Sequence, residues 1–257
     1  MKVLLTTIVI GEKYLREYET LFKESQSNYA KKHGYDFKVI TEHLNKETAD
    51  ISTISFNKIL VCGQQPESAD YDYIIVVDAD ILINIHSPPI HTYMDKDTDK
   101  IGIIDEYSQP TPQIRQKIQE YMGWEKTAAE YYALCNLQID TEKVLNTGVL
   151  VFQPKKHQKF LQYIYDTHVK NSIIYKMGYL KRGYHYEQAC IGYEIQKHNL
   201  YKLLPNEFNA IWSLIKIRYQ NKYNIDQYFG QNYFIHFAGH TDYDKVPQLQ
   251  QNNKPIV

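Results

Sequence analysis

The sequence has 257 residues, a formal net charge of −1 and a charged fraction of 23%. A chain of this length can bury a substantial core in one large domain or two small ones. The charges are mixed in sign, which excludes the basic stripe of a nucleic-acid-binding protein, and no stretch approaches the ~20 apolar residues that span a bilayer.

The first half of the chain alternates between strand and helix patterns. Residues 2–10 are predicted to form a strand rather than a secretory signal, because two threonines interrupt the apolar stretch and no small-residue cleavage site follows. Apolar positions at helical spacing predict a helix over Glu12–His33 that ends at Gly34. The next predicted elements are a strand over Tyr35–Thr41, a helix around Ser55–Gly63 and a strand over Tyr73–Val77.

The second half continues this pattern less regularly. Strands are predicted over Lys100–Asp105, Val144–Phe152, Leu200–Leu204 and Tyr233–Phe237, and helices near His157–Val169 and Tyr186–His198. Residues 111–143 are polar and helical in part, and we expect them to cover a site as an insertion. The β-α-β order predicts a mostly parallel central sheet with right-handed crossovers. No repeat or linker divides the sequence, which predicts one α/β domain over residues 1–257.

The most informative segment is YIIVVDADIL, residues 73–82. Its apolar run is typical of a strand buried on both faces, and Asp78, Ala79 and Asp80 follow at the carboxyl end, where open α/β sheets bind ligands. Two carboxylates this close repel each other unless a cation lies between them, and their hard oxygens suit Mg²⁺ or Mn²⁺. The alternative is a turn in which one of the acids caps the next element.

A late strand offers a third metal ligand. His236 lies in the apolar run FIHF, and Gly239 follows it. A neutral imidazole can complete an Asp-x-Asp metal site, and a glycine allows the backbone to approach phosphates closely. A core histidine with satisfied hydrogen bonds is the alternative for His236, and His240 is a rival for the same ligand position.

Five parts of the sequence, in this order, carry a resemblance to a known family: YAKKHGYDFKVI, FNKIL with YDYIIVVDADILI, LNTGVLVFQP, YEQACIGYEI and YFIHFAGH. They resemble the Tyr-Ala-x-x-His-Gly-Tyr, lysine-helix and Asp-x-Asp, Asn-x-Gly, Asp-Gln and His-x-x-Gly segments of GT-A type glycosyltransferases. The closest resemblance is to retaining families 8 and 34 and covers most of the chain. It implies a single Rossmann-like GT-A domain, with a nucleotide-binding half over residues 1–105 and an acceptor-side half over residues 106–257.

The resemblance implies several contacts to a nucleotide-diphosphate donor. The family holds the base and ribose at the end of strand one, which assigns this role to Thr6 and Thr7. Tyr14 is a candidate to stack on a uracil-like base, although it can equally belong to the buried face of the first helix. Lys58 matches a lysine that reaches the donor pocket, with a solvated surface lysine as the alternative. A family lysine contacts the diphosphate shortly after the terminal glycine, and here the nearest, Lys245, comes later than expected.

Four further residues are candidates to surround the anomeric carbon. Asn146 matches the family's Asn-x-Gly, where the asparagine lines the sugar or acceptor pocket, although such residues also form simple turns. Asp105 ends the run IGIID and is a candidate to bind the hydroxyls of the donor sugar. Glu187 and Gln188 stand where the family has Asp-Gln, and their carboxylate and amide can orient the sugar and stabilise oxocarbenium-like charge. The Glu-for-Asp change lengthens the side chain by one methylene.

The resemblance implies a metal-dependent glycosyltransferase with Mn²⁺ or Mg²⁺ that moves a sugar from a UDP- or GDP-linked donor to a glycan, lipid or protein acceptor, with retention of configuration. Two alternatives are a sugar-nucleotide nucleotidyltransferase and a non-catalytic sugar-nucleotide-binding protein. The sequence has no N-terminal glycine-rich loop with Arg or Lys of the pyrophosphorylase type, which disfavours the first. The intact metal-ligand set disfavours the second.

The sequence favours a cytoplasmic protein. Cys62, Cys135 and Cys190 are far apart and odd in number, so they predict neither a disulfide framework nor a metal cluster and are typical of a reducing compartment. Eukaryotic members of the family usually carry an N-terminal membrane anchor that this sequence lacks, which leaves a bacterial or viral source or a trimmed chain open.

Overall fold

A computed structural model describes residues 1–63, 66–95, 99–171, 186–219 and 224–252. The strands are β1 (Val3–Ile8), β2 (Asp36–Ile40), β3 (Tyr73–Val77), β4 (Ile81–Ile83), β5 (Ile101–Asp105), β6 (Leu145–Phe152), β7 (Tyr201–Leu203), β8 (Ala210–Ile211) and β9 (Phe234–His236). The α-helices are α1 (Glu12–Leu21), α2 (Lys23–His33), α3 (Asn57–Leu60), α4 (Pro112–Met122), α5 (Ala128–Ala133), α6 (Pro154–Tyr165), α7 (Tyr186–Lys197), α8 (Trp212–Tyr219), α9 (Ile225–Gln231) and α10 (Val246–Asn252).

The central feature is a six-stranded sheet with the order β2-β1-β3-β6-β5-β7. Strand β6 runs antiparallel to both of its neighbours, and the other pairings are parallel, so five strands point in one direction. The predicted α/β class and mostly parallel sheet are therefore confirmed, with β6 as the reversed strand. A second sheet of three strands, β4-β9-β8, lies beyond the end of β3.

The central sheet lies between two apolar layers. Ile74 and Val76 of β3 belong to one buried cluster, and Ile75 and Val77 belong to another. Alternate side chains of a strand point to opposite faces, so β3 is buried on both sides, as its unbroken apolar run predicts. This burial fixes the end of β3 and with it the position of Asp78. Within the described residues, every helix is too short or too polar to cross a bilayer.

The helix predicted over residues 12–33 is two helices. The chain breaks at Phe22, whose φ of −124° lies outside the helical range. Its ring is fully buried against Phe237 and Tyr243, at ring-centroid distances of 5.9 and 5.1 Å, so packing in the core overrides the continuous helical pattern. The second helix ends at Gly34, as predicted, in a left-handed conformation with φ 67°.

The helix predicted around residues 55–63 is reduced to the four residues of α3. The Asn57 side chain donates hydrogen bonds to the carbonyls of Thr53 and Ile54, at 3.1 and 2.8 Å, and so competes with regular helical bonding. Residues 111–143, which were predicted to be helical in part, contain the two helices α4 and α5. Strands β4 and β8 and helices α8, α9 and α10 have no counterpart in the prediction.

Candidate active site

The two acids and the histidine predicted as metal ligands meet at the end of β3. Strand β4 begins directly after Asp80 and pairs antiparallel with β9, where Ile81 stands opposite His236. His236 Nε2 consequently lies 3.3 Å from Asp80 Oδ1 and 3.7 Å from Asp78 Oδ2. One potential ligand atom from each of the three residues lies within 4.8 Å of the ligand atoms of the other two. A divalent cation with oxygen and imidazole ligands is compatible with this set.

His240, the rival ligand, lies elsewhere. Its Nε2 is 3.6 Å from the Glu17 carboxylate, and 53% of its side chain is exposed. Its ring lies 6.2 Å from the Tyr14 ring and 4.8 Å from the Tyr243 ring, so it forms part of an aromatic group beside the acids. In the described parts of the chain, the geometry thus groups His236, and not His240, with the two aspartates.

A hydrogen bond fixes the orientation of the His236 ring. Its Nδ1 lies 3.0 Å from Asn209 Oδ1 and donates to it, because this amide oxygen can only accept. Nε2 is therefore the nitrogen that faces the acids, in the manner of metal-ligating histidines whose other nitrogen is held by a neighbour. Burial lowers the pKa of His236, but Asp80 and Asp78 outweigh it, and the pKa is raised above its ordinary value.

Gly148 makes room for this ring. A Cβ at this position would lie 2.7 Å from two atoms of the His236 imidazole and 2.9 Å from Asn146 Oδ1. The Gly148 amide donates to Asn146 Oδ1 at 2.8 Å, and its carbonyl accepts from the Asp78 amide at 2.8 Å. The Asn-x-Gly sequence therefore has a direct structural reason: the glycine admits the histidine, and its backbone ties β6 to the first acid.

Lys58 is a buried member of the site rather than a surface lysine. Its Nζ lies 2.7 Å from Asp78 Oδ1 and 3.2 Å from Glu187 Oε1, and it donates to the Thr147 carbonyl at 3.3 Å. Burial alone would lower the pKa of Lys58, but the two carboxylates outweigh it and raise the pKa above its ordinary value. Lys58 is therefore a fixed cation that leaves the other oxygen of Asp78 facing Asp80 and His236.

Asn146 and Gln188 belong to a buried network of polar side chains. Asn146 Nδ2 donates to Gln188 Oε1 and to Glu106 Oε2, both at 2.9 Å. Gln188 Nε2 donates to Glu106 Oε2 at 3.0 Å and to the Tyr131 hydroxyl at 3.1 Å. Asn209 Nδ2 donates to Asn146 Oδ1 at 2.7 Å, which joins this network to His236. Side chains that are fixed in this way need no reorganisation when a ligand arrives.

These side chains surround a cleft with a volume of about 650 Å³. Of the predicted site residues, it is lined by Tyr14, Lys58, Asp78, Ala79, Asp80, Asn146, Glu187, Gln188, His236 and Gly239. Gly239 has φ 73°, a conformation that favours glycine, and no atom lies within 4 Å of a Cβ built there. Volume and mixed lining are those of a small-molecule site.

Four predicted residues do not line the cleft. Thr6 and Thr7 are fully buried inside the sheet because β1 continues to Ile8, which is the residue that reaches the cleft. Asp105 turns away and accepts hydrogen bonds from the Tyr107 and Val144 amides at 3.0 and 3.2 Å. Lys245 is exposed and lies 3.3 Å from the Asp244 carboxylate.

The structure adds residues that the sequence reasoning missed. Glu106 directly follows Asp105 and lines the cleft in its place. Arg115 of α4 donates to Glu106 Oε1 at 2.9 Å, and Asn209 precedes β8 in a segment without a predicted element. The position of Glu106 next to the predicted Asp105 was a signal in the sequence that could have identified it. Arg115 and Asn209 had none, because their contacts join residues far apart in the sequence.

Comparison with solved structures identifies the fold. A glycosyltransferase involved in the glycosylation of the major capsid of PBCV-1 superposes with a TM-score of 0.62 at 14% identity and covers 98% of this chain and 100% of its own. An active-site mutant of LgtC gives 0.56 at 11% identity, with 100% and 98% covered. The bifunctional glycosyltransferase WbbM gives 0.53 at 11% identity over 98% of this chain and 50% of its own. No family model and no curated protein matches the sequence. The chain therefore has the GT-A glycosyltransferase fold, as its resemblance implied.

Proposed function

We propose that the protein is a metal-dependent glycosyltransferase that moves a sugar from a nucleotide-diphosphate donor to an acceptor hydroxyl. The observation that carries the proposal is the group of Asp78, Asp80 and His236, whose ligand atoms lie within 4.8 Å of one another. The group borders a cleft at the carboxyl end of β3, where open α/β sheets bind ligands. The shared GT-A fold supports the same class of reaction.

The residues present fit a divalent ion. Two carboxylates and an imidazole nitrogen form a donor set suited to Mn²⁺ or Mg²⁺, and Asn209 and Lys58 hold His236 and Asp78 in orientation. A bound ion would neutralise the diphosphate and stabilise the charge on the departing nucleoside diphosphate. Lys58, already fixed as a buried cation, would add to this stabilisation.

The aromatic group at the α1 side of the cleft is the proposed base site. Tyr14 exposes 46% of its surface, and Tyr14, His240 and Tyr243 all line the cleft, which suits stacking on a uracil or guanine ring. Ala79 and Gly239 offer backbone without a bulky side chain beside the acids, where a diphosphate would lie. UDP- and GDP-linked sugars both remain compatible with these contacts.

The proposed sugar site is the network of Asn146, Gln188 and Glu106 together with Glu187. In the transfer, the acceptor oxygen forms a bond to the anomeric carbon, and the bond from this carbon to the diphosphate oxygen breaks. The electron pair of that bond leaves with the nucleoside diphosphate, which takes the hydroxyl proton. Fixed carboxylate and amide oxygens stabilise the oxocarbenium-like charge at the anomeric carbon.

Retention of configuration is part of the proposal because the sequence resembles retaining families. Asp105 acts only indirectly, because it shapes the turn that presents Glu106.

One experiment separates the proposal from its two alternatives. Thermal unfolding is followed with Mn²⁺ alone, with a panel of nucleotide sugars and nucleoside triphosphates, and with Mn²⁺ and each nucleotide together. The proposed enzyme is stabilised by a nucleotide sugar only when Mn²⁺ is present, because the ion joins the acids to the diphosphate. A non-catalytic binder would be stabilised without the metal, and a nucleotidyltransferase would prefer a nucleoside triphosphate.

A matched pair of variants then tests catalysis. Asp80→Asn removes a proposed metal ligand, whereas Asp95→Asn alters an exposed acid outside the cleft. Release of nucleoside diphosphate from the donor identified by the panel should fall more than about 100-fold in Asp80→Asn and stay near the wild-type rate in Asp95→Asn. Full activity of Asp80→Asn in the presence of a chelator would refute the metal site.

A further inference from the structure

Arg115 has hydrogen-bonding capacity that the described residues do not use. Only 4% of its surface is exposed, and its side chain lines the cleft. Nη2 donates to Glu106 Oε1 at 2.9 Å, but the buried Nε and Nη1 find no hydrogen-bond partner among the described residues. Buried donors without a partner are costly, and in native proteins they indicate a ligand or an ordered water.

Two aromatic rings hold the guanidinium in place. Its Cζ lies 4.6 Å from the centre of the Tyr107 ring and 5.6 Å from the centre of the Trp124 ring. The position of Trp124 is itself built into the fold. Gly123 ends α4 in a left-handed conformation with φ 65°, and the Trp124 amide then donates to the Gln119 carbonyl at 3.0 Å. This turn sets an indole, 36% exposed, on the wall of the cleft.

A continuous chain of hydrogen bonds fixes where this wall lies. It runs from His236 through Asn209, Asn146 and Glu106 to Arg115, with donor–acceptor distances of 3.0, 2.7, 2.9 and 2.9 Å. The proposed sugar site lies in the middle of this chain. Arg115, with Trp124 packed against it, therefore stands at the opposite end of this chain from His236, and the proposed sugar site lies between the two ends.

The charges of the cleft restrict what can bind there. Its carboxylates, within the described residues, are Glu17, Asp78, Asp80, Glu106, Glu125 and Glu187. Among the described residues, the lysine and arginine side chains that line it are Lys58 and Arg115, and both are already paired with carboxylates. A divalent ion and a diphosphate of charge −2 cancel each other, so the excess of carboxylates among the described lining residues remains when the donor is bound. A carboxylate or phosphate on the acceptor would be repelled.

We infer that Arg115 and Trp124 form the acceptor subsite and that it takes an uncharged sugar, an inference that rests on the proposed function. The indole stacks on the apolar face of the sugar ring, and the Arg115 N–H groups that have no partner among the described residues donate to its hydroxyl oxygens. Glu106 connects the two sites, because its carboxylate contacts Arg115 on one side and Asn146 and Gln188 on the other.

The test uses neutral p-nitrophenyl hexopyranosides and pentopyranosides as acceptors, with p-nitrophenyl glucuronide as the anionic match of the glucoside. At least one neutral glycoside should accept the sugar, and the glucuronide should be at least tenfold poorer than the glucoside. Trp124→Ala should raise the KM for the neutral acceptor about tenfold, because it removes a stacking partner. The affinity for nucleoside diphosphate with Mn²⁺ should not change in this variant. Arg115→Lys, which keeps the charge but not the planar donors, should also raise this KM.

Tyr163→Ala is the matched control, since Tyr163 is 43% exposed on α6 and lies outside the cleft lining. An unchanged acceptor KM in Trp124→Ala, or a glucuronide used as well as the glucoside, would overturn the inference. Donor hydrolysis by the wild type, which needs no added acceptor, reports on the proposed function separately. If no donor is hydrolysed, saturation-transfer NMR with the same glycosides still decides, because binding that survives Trp124→Ala, or no binding at all, contradicts the subsite.

Discussion

Lys58 Nζ lies 2.7 Å from Asp78 Oδ1, so a buried lysine of α3 holds the first acid of the proposed metal-ligand group. The same ammonium lies 3.2 Å from Glu187 Oε1, so Lys58 also connects α7 to the end of β3. One side chain thus neutralises two carboxylates from elements that are far apart in the sequence. This relationship makes Lys58 important for the integrity of the site as well as for the proposed donor binding.

Removal of this cation should destabilise the protein. Lys58→Met keeps the aliphatic stem but leaves Asp78 and Glu187 without their shared partner. Loss of one member of a buried ion pair costs about 3–5 kcal/mol, whereas an exposed pair contributes less than about 1 kcal/mol. We expect a loss of about 3 kcal/mol in the free energy of unfolding, measured by urea denaturation in the presence of a chelator. A loss below about 1 kcal/mol would show that the pair behaves as an exposed one.

Gly148→Ala should damage the metal site. The added Cβ would lie 2.7 Å from the His236 ring, so the imidazole must move away from the aspartates. We expect a destabilisation of about 1–3 kcal/mol and a weaker stabilisation by Mn²⁺ in thermal unfolding. Gly230→Ala is the control, because no atom lies within 4 Å of a Cβ there and α9 should tolerate it. If Mn²⁺ stabilised Gly148→Ala as much as it stabilises the wild type, the result would contradict the conclusion that Gly148 makes room for the His236 ring.

Asp105 should make stability depend on pH. Burial raises the pKa of Asp105 to about 6, above its ordinary value of 3.8, despite hydrogen bonds from the Tyr107 and Val144 amides. The folded state therefore binds the proton more tightly than the unfolded state does. The contribution of this group is fully present below pH 3.8 and is lost as the pH rises through about 6.

Asp105→Asn cannot titrate and should not show this loss. Between pH 4 and pH 8, the wild type should lose about 2 kcal/mol more of its free energy of unfolding than the variant does. Urea denaturation across this pH range measures the difference. Parallel pH profiles of the two proteins would disprove the assignment.

Gln188→Ala should separate turnover from nucleotide binding. The Gln188 amide contacts Asn146, Glu106 and Tyr131 in the proposed sugar site, whereas the diphosphate is assigned to the metal ligands. The loss should therefore appear in kcat, by about 100-fold, and hardly in the affinity for nucleoside diphosphate. If the variant instead binds the nucleotide weakly and turns over bound donor normally, Gln188 belongs to the nucleotide pocket. NMR of the new anomeric proton would test retention independently.

The sequence predicted those features that depend on a local pattern. The strand over Tyr73–Val77 could be predicted because a central strand is buried on both faces and is therefore apolar throughout. The two acids directly follow this apolar run. Thr6 and Thr7 were expected at the end of β1, but the strand continues to Ile8. The sequence is apolar on both sides of the two threonines, so it contains no signal for the end of the strand. The choice between Asp105 and Glu106 depends on the turn after β5, which no periodicity reveals.

Contacts between distant segments could not be predicted from the pattern alone. Asn209 reaches His236 because β8 and β9 are neighbours, and β8 has only two residues. Arg115 reaches Glu106 because α4, which begins after the capping residue Thr111, runs past Glu106. The spacing of residues within α4 does not indicate this contact. The resemblance to the family supplied the proposed ligand set, and tertiary structure supplied the residues that orient it.

Calorimetric titration of UDP and of GDP into the wild type and Asp80→Asn, each with Mn²⁺ and with a chelator, tests the metal-dependent binding of the donor. We expect one of the two nucleotides to bind the wild type with Mn²⁺, and we expect this binding to be lost with the chelator and in Asp80→Asn. The reason is that the diphosphate would otherwise face the carboxylates of Asp78 and Asp80, and the nearby ammonium of Lys58 is already paired with Asp78 and Glu187. Equal affinity with and without the metal would contradict the central claim.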